Sequence, residues 1–281
     1  GLIDEGGFAY CENVKNDFDF IEQIFVRNRL NGNGVGFNAS LADIATDVHH
    51  QKYGQFWSRF PFDVINLDYF GDIFKTNNQN FAVPDFTTIQ DIIFHQARSK
   101  RQYELWLTMR IKPLRIPAQV KLTFTDLIEE NIKNLHFKTA FTKNYPSANK
   151  PADLDDEMLY YTGFLKWLYY VCFSSYSIIR NMKVLKYKRN GKDGDDYNIF
   201  NILLRIEPYQ TAFILSPVGD HVRACKDEYN KGIVNALATP IDVDKEFREL
   251  KGSERKRLRQ ELDSLSNDFF QDEKGWFASA N

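Results

Sequence analysis

"FDVINLDYFG", Phe62–Gly71, is the stretch on which the fold turns. Val64, Ile65 and Leu67 give it the near-continuous apolar character of a strand covered on both faces. The run then ends in acid, aromatic, aromatic, glycine. Either a buried strand here delivers side chains to a cleft, or a strand simply stops. The neighbouring segments bear on the choice. Upstream, "FAYCEN" reads as a short strand ending at Glu12, Asp17–Leu30 as a helix with Phe18, Ile21, Ile24 and Phe25 on one face, and "GNGVGFNASLADI" as a loop, a short strand through Val35 and Phe37, and a turn near Asp43. Downstream, "DFTTIQDIIFHQARSK" reads as a helix capped by Asp85 or Thr87, and "YELWLTMRI" as a strand. Strand and helix alternate as in a parallel sheet wound with helices.

The second half of the chain changes character. Thr125 to about Thr139 reads as helix. "DLDDEMLYYTGFLKWLYYVCFSS" reads as a strongly apolar helix with acids in its first turn, where the macrodipole favours them. "YSIIRNMKVLKYKR" and "YNIFNILLRIEPY" read as antiparallel strands joined through "NGKDGDD", a strong hairpin signal. "TAFILSPV" is a possible extension of that unit. The expected architecture is α/β, Rossmann-like, a mostly parallel twisted sheet with helices on both faces and an antiparallel edge hairpin. Residues 1–220 form that domain and 221–281 a helical C-terminal extension.

Composition bounds the function. The 281 residues carry 38 acids against 36 bases, so no global basic field holds nucleic acid and any such contact is a local patch. Three widely spaced cysteines without a Cys-x-x-Cys argue against a disulfide framework or a zinc ribbon, and for a reducing, cytoplasmic setting. No apolar run reaches the roughly 18 residues of a membrane span. "GLIDEGGFAY" lacks the pattern of a signal peptide.

The order of segments, with its closing hairpin, resembles the class I S-adenosylmethionine (SAM)-dependent methyltransferases, in which the sixth and seventh strands form such a hairpin. "FAYCEN" is then similar to the family's second strand, whose terminal acid accepts hydrogen bonds from the cofactor ribose; the matching residue is Glu12. An acid or amide after the third strand reads the adenine amino group, which implies Asp43, with Asn38 as a second candidate. "DVINLDYFG" resembles the "IDLDPFG"-like run closing the fourth strand of tRNA guanine-N2 methyltransferases and bacterial relatives. The match covers Asp63, Ile65, Leu67, Asp68, Phe70 and Gly71. It implies that Asp68 orients an exocyclic amine and that Tyr69 or Phe70 stacks on the target base. Gly71 would let the backbone pass close to substrate. Asn66 joins the cofactor candidates, with a purely structural role as the alternative. "LWLTMRI" resembles an "LxLTxR"-like fifth strand, implying Thr108 and Arg110 at the cleft.

Two features depart from that pattern. Tyr69 stands where the amino-methyltransferase run has proline, and no glycine-rich loop links a first strand to a helix. "GNGVG", Gly32–Gly36, precedes a strand and reads as a turn. The expectation is that the native protein is longer, or that the cofactor loop has been lost. In the latter case the chain is a binding or scaffold subunit.

Other constellations read as structural. His49-His50 has no third ligand at metal spacing, so no metal is expected. The stripe Tyr160, Tyr161, Phe164, Trp167, Leu168 and Tyr170 has helical spacing and reads as core or interface. "KVLKYKRNGK" carries bases around Tyr187, among them Lys186, Lys188 and Arg189, without an acid. That pattern suits a nucleic-acid backbone, and equally a lysine-protected sheet edge.

Overall fold

The computed structural model describes residues 8–27, 34–74, 84–111, 116–148, 150–189, 197–209, 232–257 and 260. The fold is a mixed α/β arrangement with an open sheet. Strands β1 (Phe8–Cys11) and β2 (Gly34–Phe37) pair in parallel as a two-stranded sheet. Helix α1 (Lys15–Arg27) connects the two. Five further strands run in the order β3-β4-β6-β5-β7: β3 (Val64–Asp72), β4 (Tyr103–Arg110), β5 (Ser177–Arg189), β6 (Tyr197–Pro208) and β7 (Ile241–Asp242). β3 and β4 are parallel, β6 is antiparallel to both β4 and β5, and β7 is parallel to β5. The larger sheet is therefore mixed, with β3, β4, β5 and β7 running one way and β6 the other.

Two glycines of the "GNGVG" run lie in β2 itself, not in a turn. A Cβ on Gly34 would sit 2.0 Å from the Phe8 ring, and one on Gly36 would sit 2.5 Å from the Tyr10 hydroxyl. The aromatic rings of β1 thus occupy the space that β2 leaves empty. Tyr10 then donates its hydroxyl to Glu22 of α1 at 2.6 Å, which ties the helix to the small sheet.

Helices α2 (Leu41–Thr46), α3 (Tyr53–Trp57), α4 (Pro84–Ala97), α5 (Ala118–Ile132), α6 (Leu135–Asn144) and α7 (Asp156–Ser174) complete the core. A short α8 (Val243–Glu249) follows β7. Helix α7 buries Leu159, Tyr160, Tyr161, Phe164, Leu165 and Leu168; of the expected stripe, Trp167 is only partly buried and Tyr170 is 58% exposed. Asp155 caps it by accepting from the Met158 N–H at 2.8 Å, as an acid at a helix start should. Gly163 lets α5 approach, since a Cβ there would lie 2.4 Å from the Phe124 ring.

The expected Thr125–Thr139 helix is two helices. The Asn134 side chain accepts from His136 N and Phe137 N and starts α6 afresh, because an asparagine amide competes well as an N-cap. Asp85 and Thr87 do not cap α4. They fall inside it, after Pro84, which suits a first helical position. Gln96 of α4 clamps the start of the opening stretch, accepting from Phe62 N at 2.9 Å and donating to Phe62 O at 2.6 Å.

Residues beyond 221 contribute more than helix. Ile233, Ala236 and Leu237 are buried in the shared core, and Tyr161 donates to the Ala238 carbonyl at 2.9 Å. The "TAFILSPV" stretch and the hairpin loop at 190–196 lie outside the described residues. No helix among the described residues is long and apolar enough to cross a membrane.

Candidate functional site

Strand β3 is covered on one face only. Ile65 and Leu67 are buried, whereas Asn66 and Asp68 are exposed and Val64 is 48% exposed. The apolar run in the sequence hid an ordinary alternation, because Val64 is an apolar residue standing in a solvent-facing position. The same alternation holds in β4. Tyr103, Leu105, Leu107 and Met109 are buried, while Trp106 is 40% exposed beside partly exposed Thr108 and Arg110.

Register places these side chains in rows across the open face. Asn66, Trp106, Leu203 and Lys183 make one row, and Asp68, Thr108, Asn201 and Leu185 the next. Thr108 donates its hydroxyl to Asn201 Oδ1 at 2.9 Å. Trp106 donates its indole N–H to Glu104 at 3.0 Å, which orients the ring on the open face. One step further along β4, the Arg110 guanidinium lies over the Tyr197 ring, 4.9 Å from its centroid. Four of the candidate residues, Asn66, Asp68, Thr108 and Arg110, thus gather on one surface.

Strand β3 does not simply stop. Between Tyr69 and Asp72 its register against β4 shifts, so Phe70 and Gly71 stand as extra residues opposite Met109 and Arg110. A bulge of this kind bends a strand and re-aims its last side chains, and bulges recur beside active sites. Of Phe70 and Gly71, only the backbone is described.

Asp68 and Tyr69 face opposite sides of β3. Asp68 belongs to the open face, and loss of water around its carboxyl raises its pKa above the usual carboxylate range. Tyr69 packs against the core, its hydroxyl buried and without a hydrogen-bond partner. Burial, with Asp85 as a lesser cause, pushes the phenol pKa well up. The pair assigned to one cleft by the resemblance is split by strand alternation, and the Tyr69 ring is on the side away from Asp68.

The remaining cofactor candidates cluster at the small sheet. Glu12 and Asn38 follow the last paired residues, Cys11 and Phe37, and Glu12 N extends the ladder by donating to Phe37 O at 3.0 Å. One Glu12 oxygen accepts from Val14 N at 2.8 Å at the start of α1. Asp43 is not in a turn. It is an exposed residue in the first turn of α2, whose cap is the Ser40 hydroxyl accepting from Asp43 N at 3.1 Å.

The basic hairpin does not form a one-sided patch. Lys186 lies on the helix-covered side, where Glu157 of α7 pairs with it at 3.6 Å. Lys188 donates its backbone N–H to Asp244 at 2.6 Å. β7 pairs with β5 at Leu185 and Lys186, so the edge there is occupied. The side chain of Arg189 lies outside the described residues. Among the described residues, no group of three His, Cys, Asp or Glu is placed to hold a metal ion.

Sequence reasoning passed over Asn201, which completes the row of Thr108, and Tyr197, whose ring lies against the Arg110 guanidinium. Their signal was strand parity within "YNIFNILLRIEPY", read against "YELWLTMRI". No curated protein matches the chain, and no solved structure does. A family model described as PP_RS20740-like matches residues 33–276, nearly the whole length, and the chain therefore belongs to the PP_RS20740-like family.

Proposed function

We propose that the chain is a SAM-dependent methyltransferase-like protein acting on nucleic acid, at an amino group of a base. The observation that carries the reading is Asp68. It is an open-face carboxylate at the end of a strand whose closing bulge carries Phe70-Gly71, in the run that resembles the amino-methyltransferase motif. The strand order supports it too, because the β5–β6 hairpin lies beyond β4 at the side of the sheet where the resemblance expects a hairpin. Glu12 and Asn38, at adjacent strand ends, suit the ribose and adenine of the cofactor; Asp43, on α2, is the further candidate. Asp68 would accept from the attacking amine and orient it in line with the methyl group, so that most of the rate comes from positioning. A carboxylate with a raised pKa is also a better proton acceptor as the amine is alkylated.

The test is Asp68→Ala. Methyl transfer to tRNA or DNA should vanish while the melting temperature stays within about a degree or two, as for an exposed residue. Retained transfer would remove Asp68 from the mechanism, and a collapse in stability would make it structural.

A second reading has its own support. Glu12 already serves the N-terminus of α1, and Tyr69 is built into the core rather than offered as a stacking platform. Both facts suit a catalytically silent methyltransferase-like domain acting as a scaffold subunit. Glu12→Ala separates the two: it should abolish cofactor binding on the first reading and leave partner binding intact on the second.

A further inference from the structure

Arg110, on the open face, carries chemistry that the fold leaves unanswered. Its Nε is buried and has no hydrogen-bond partner. Among the described residues no carboxylate pairs with its guanidinium, although 38 acids are present in the chain. The Tyr197 ring supports the cation from one side at 4.9 Å. Ile199, directly opposite Arg110 on β6, is 3% exposed, so the base of the site is apolar. Asn201, diagonal to Arg110 across the β4–β6 ladder, spends its carbonyl on Thr108 and leaves its amide N–H2 as a donor.

An unpaired, half-buried guanidinium costs stability, and a fold that retains one gains nothing from it in isolation. On the β6 side the groups at Arg110 offer donors, a rigid fork of N–H groups and a lateral amide, while Asp72 is its ladder partner on β3. Carboxylate is matched by the fork alone, along one edge. A tetrahedral oxyanion presents oxygens in two directions and meets both the fork and the amide.

We propose that Arg110 and Asn201, with Tyr197 as the platform, form a binding site for a phosphate group at the C-terminal end of β4. Assigning that phosphate to the nucleic-acid substrate rests on the methyl-transfer reading, whereas the anion site itself does not. Trp106 lies four residues back on the same face of β4, about 13 Å away at strand spacing. That separation suits a chain whose base stacks on the indole while a phosphate one or two nucleotides on meets Arg110.

The experiment titrates the 281-residue chain with three probes followed by phosphorus NMR: inorganic phosphate, a nucleoside 5′-monophosphate, and a single-stranded hexanucleotide without terminal phosphates. Wild type should bind, Arg110→Gln should weaken binding at least tenfold, and Arg110→Lys, which keeps the charge but loses the fork, should fall between. Preference for the hexanucleotide over the monophosphate assigns the site to a phosphodiester chain, and the reverse order assigns it to a free nucleotide. Arg110→Gln should melt at the wild-type temperature or above, because an unpaired cation is removed. Equal binding by wild type and Arg110→Gln overturns the proposal, as does no binding by wild type or a lowered melting temperature in Arg110→Gln. S-adenosylhomocysteine binding by the same samples reports on the methyl-transfer reading separately, and Arg110→Gln should leave it unchanged.

Discussion

The two faces of the five-stranded sheet are built from the same strands and have opposite characters. On one, Ile65, Leu67, Leu105, Leu107, Met109, Ile202, Leu204 and Ile206 lie under α4 and α7 with almost no exposure. On the other, Asn66, Asp68, Trp106, Thr108, Arg110 and Asn201 stand in rows with few partners. The first face supplies stability by removing apolar area from water, at roughly 25 cal/mol per Å². The second contributes little stability, and among the described residues it gathers the polar side chains Asn66, Asp68, Thr108, Arg110 and Asn201. Stability and recognition are separated by the pleat of single strands, one residue apart.

That contrast is most open to attack at the core face. Leu107→Ala should cost about 2–5 kcal/mol, since the site sits in the middle of a packed strand and cannot collapse freely. Asn66→Ala, its neighbour on β3 on the other face, should change stability by less than about 0.5 kcal/mol. Urea unfolding of both variants checks the pair. Similar losses would mean that the open face is also structural.

Next comes the α5–α7 contact. Gly163→Ala places a methyl 2.4 Å from the Phe124 ring, so it should destabilise by about 1–3 kcal/mol. Phe124→Ala in the same chain should offset part of that loss beyond its own cavity cost, because it removes the two nearest atoms, the ring carbons Cγ and Cδ2. A double-mutant cycle showing no coupling would contradict this geometry.

Lys166 sharpens the comparison from inside the core. It is 6% exposed on α7, its ammonium donates to the Leu127 carbonyl of α5, and burial lowers its pKa to about 8 despite the opposing pull of Glu130. The unfolded chain therefore holds a proton that the folded chain has lost between pH 8 and the ordinary lysine range. The contribution of Lys166 to stability should rise with pH across that interval and be lower below it. The thiols of Cys11 and Cys172, pushed up to about 12 by burial, and the buried tyrosines act in the opposite sense above about pH 8.5, so the quantity to read is the difference between wild type and Lys166→Met. Lys166→Met should lose the rising part, so its stability relative to wild type should fall as pH rises above 8, measured by urea unfolding at several pH values.

The smallest effect belongs to Asp68. Its raised pKa means that ionisation slightly disfavours the fold, so this group's contribution to stability is lost as pH rises through the unfolded carboxylate range toward the folded value. Asp68→Asn should melt at or just above the wild-type temperature at pH 7. It should also remove part of the weak pH dependence that begins in the unfolded carboxylate range. A clear drop in melting temperature would place Asp68 in the structure rather than on the working face.

Much of the fold was legible because its signals are local. The stripe of α7, the acid at its start, and the hairpin nature of β5 and β6 follow from periodicity and turn chemistry. What escaped notice depended on neighbours. Val64 disguised a half-exposed strand as a buried one, and only the missing cover over Asn66 and Asp68 reveals the difference. The Gly34 and Gly36 pattern resembles a turn until the Phe8 and Tyr10 rings that fill the vacant positions are seen. Asn134 breaks one helical pattern into two through its side-chain cap. For the site, Asp68, Thr108 and Arg110 were legible as strand-end polar residues. Tyr69 was assigned to the same cleft although strand parity sends it to the core. The bases of the β5 hairpin read as a patch because adjacent residues were counted together, and the pleat separates them.

Calorimetric titration of the 281-residue chain with S-adenosylhomocysteine, alongside Glu12→Ala, decides whether Glu12 holds a cofactor. Wild type should bind in the micromolar range with a heat that saturates at one equivalent, and Glu12→Ala should lose binding without loss of fold. Absence of binding by folded wild-type protein, or equal binding by Glu12→Ala, would contradict that role.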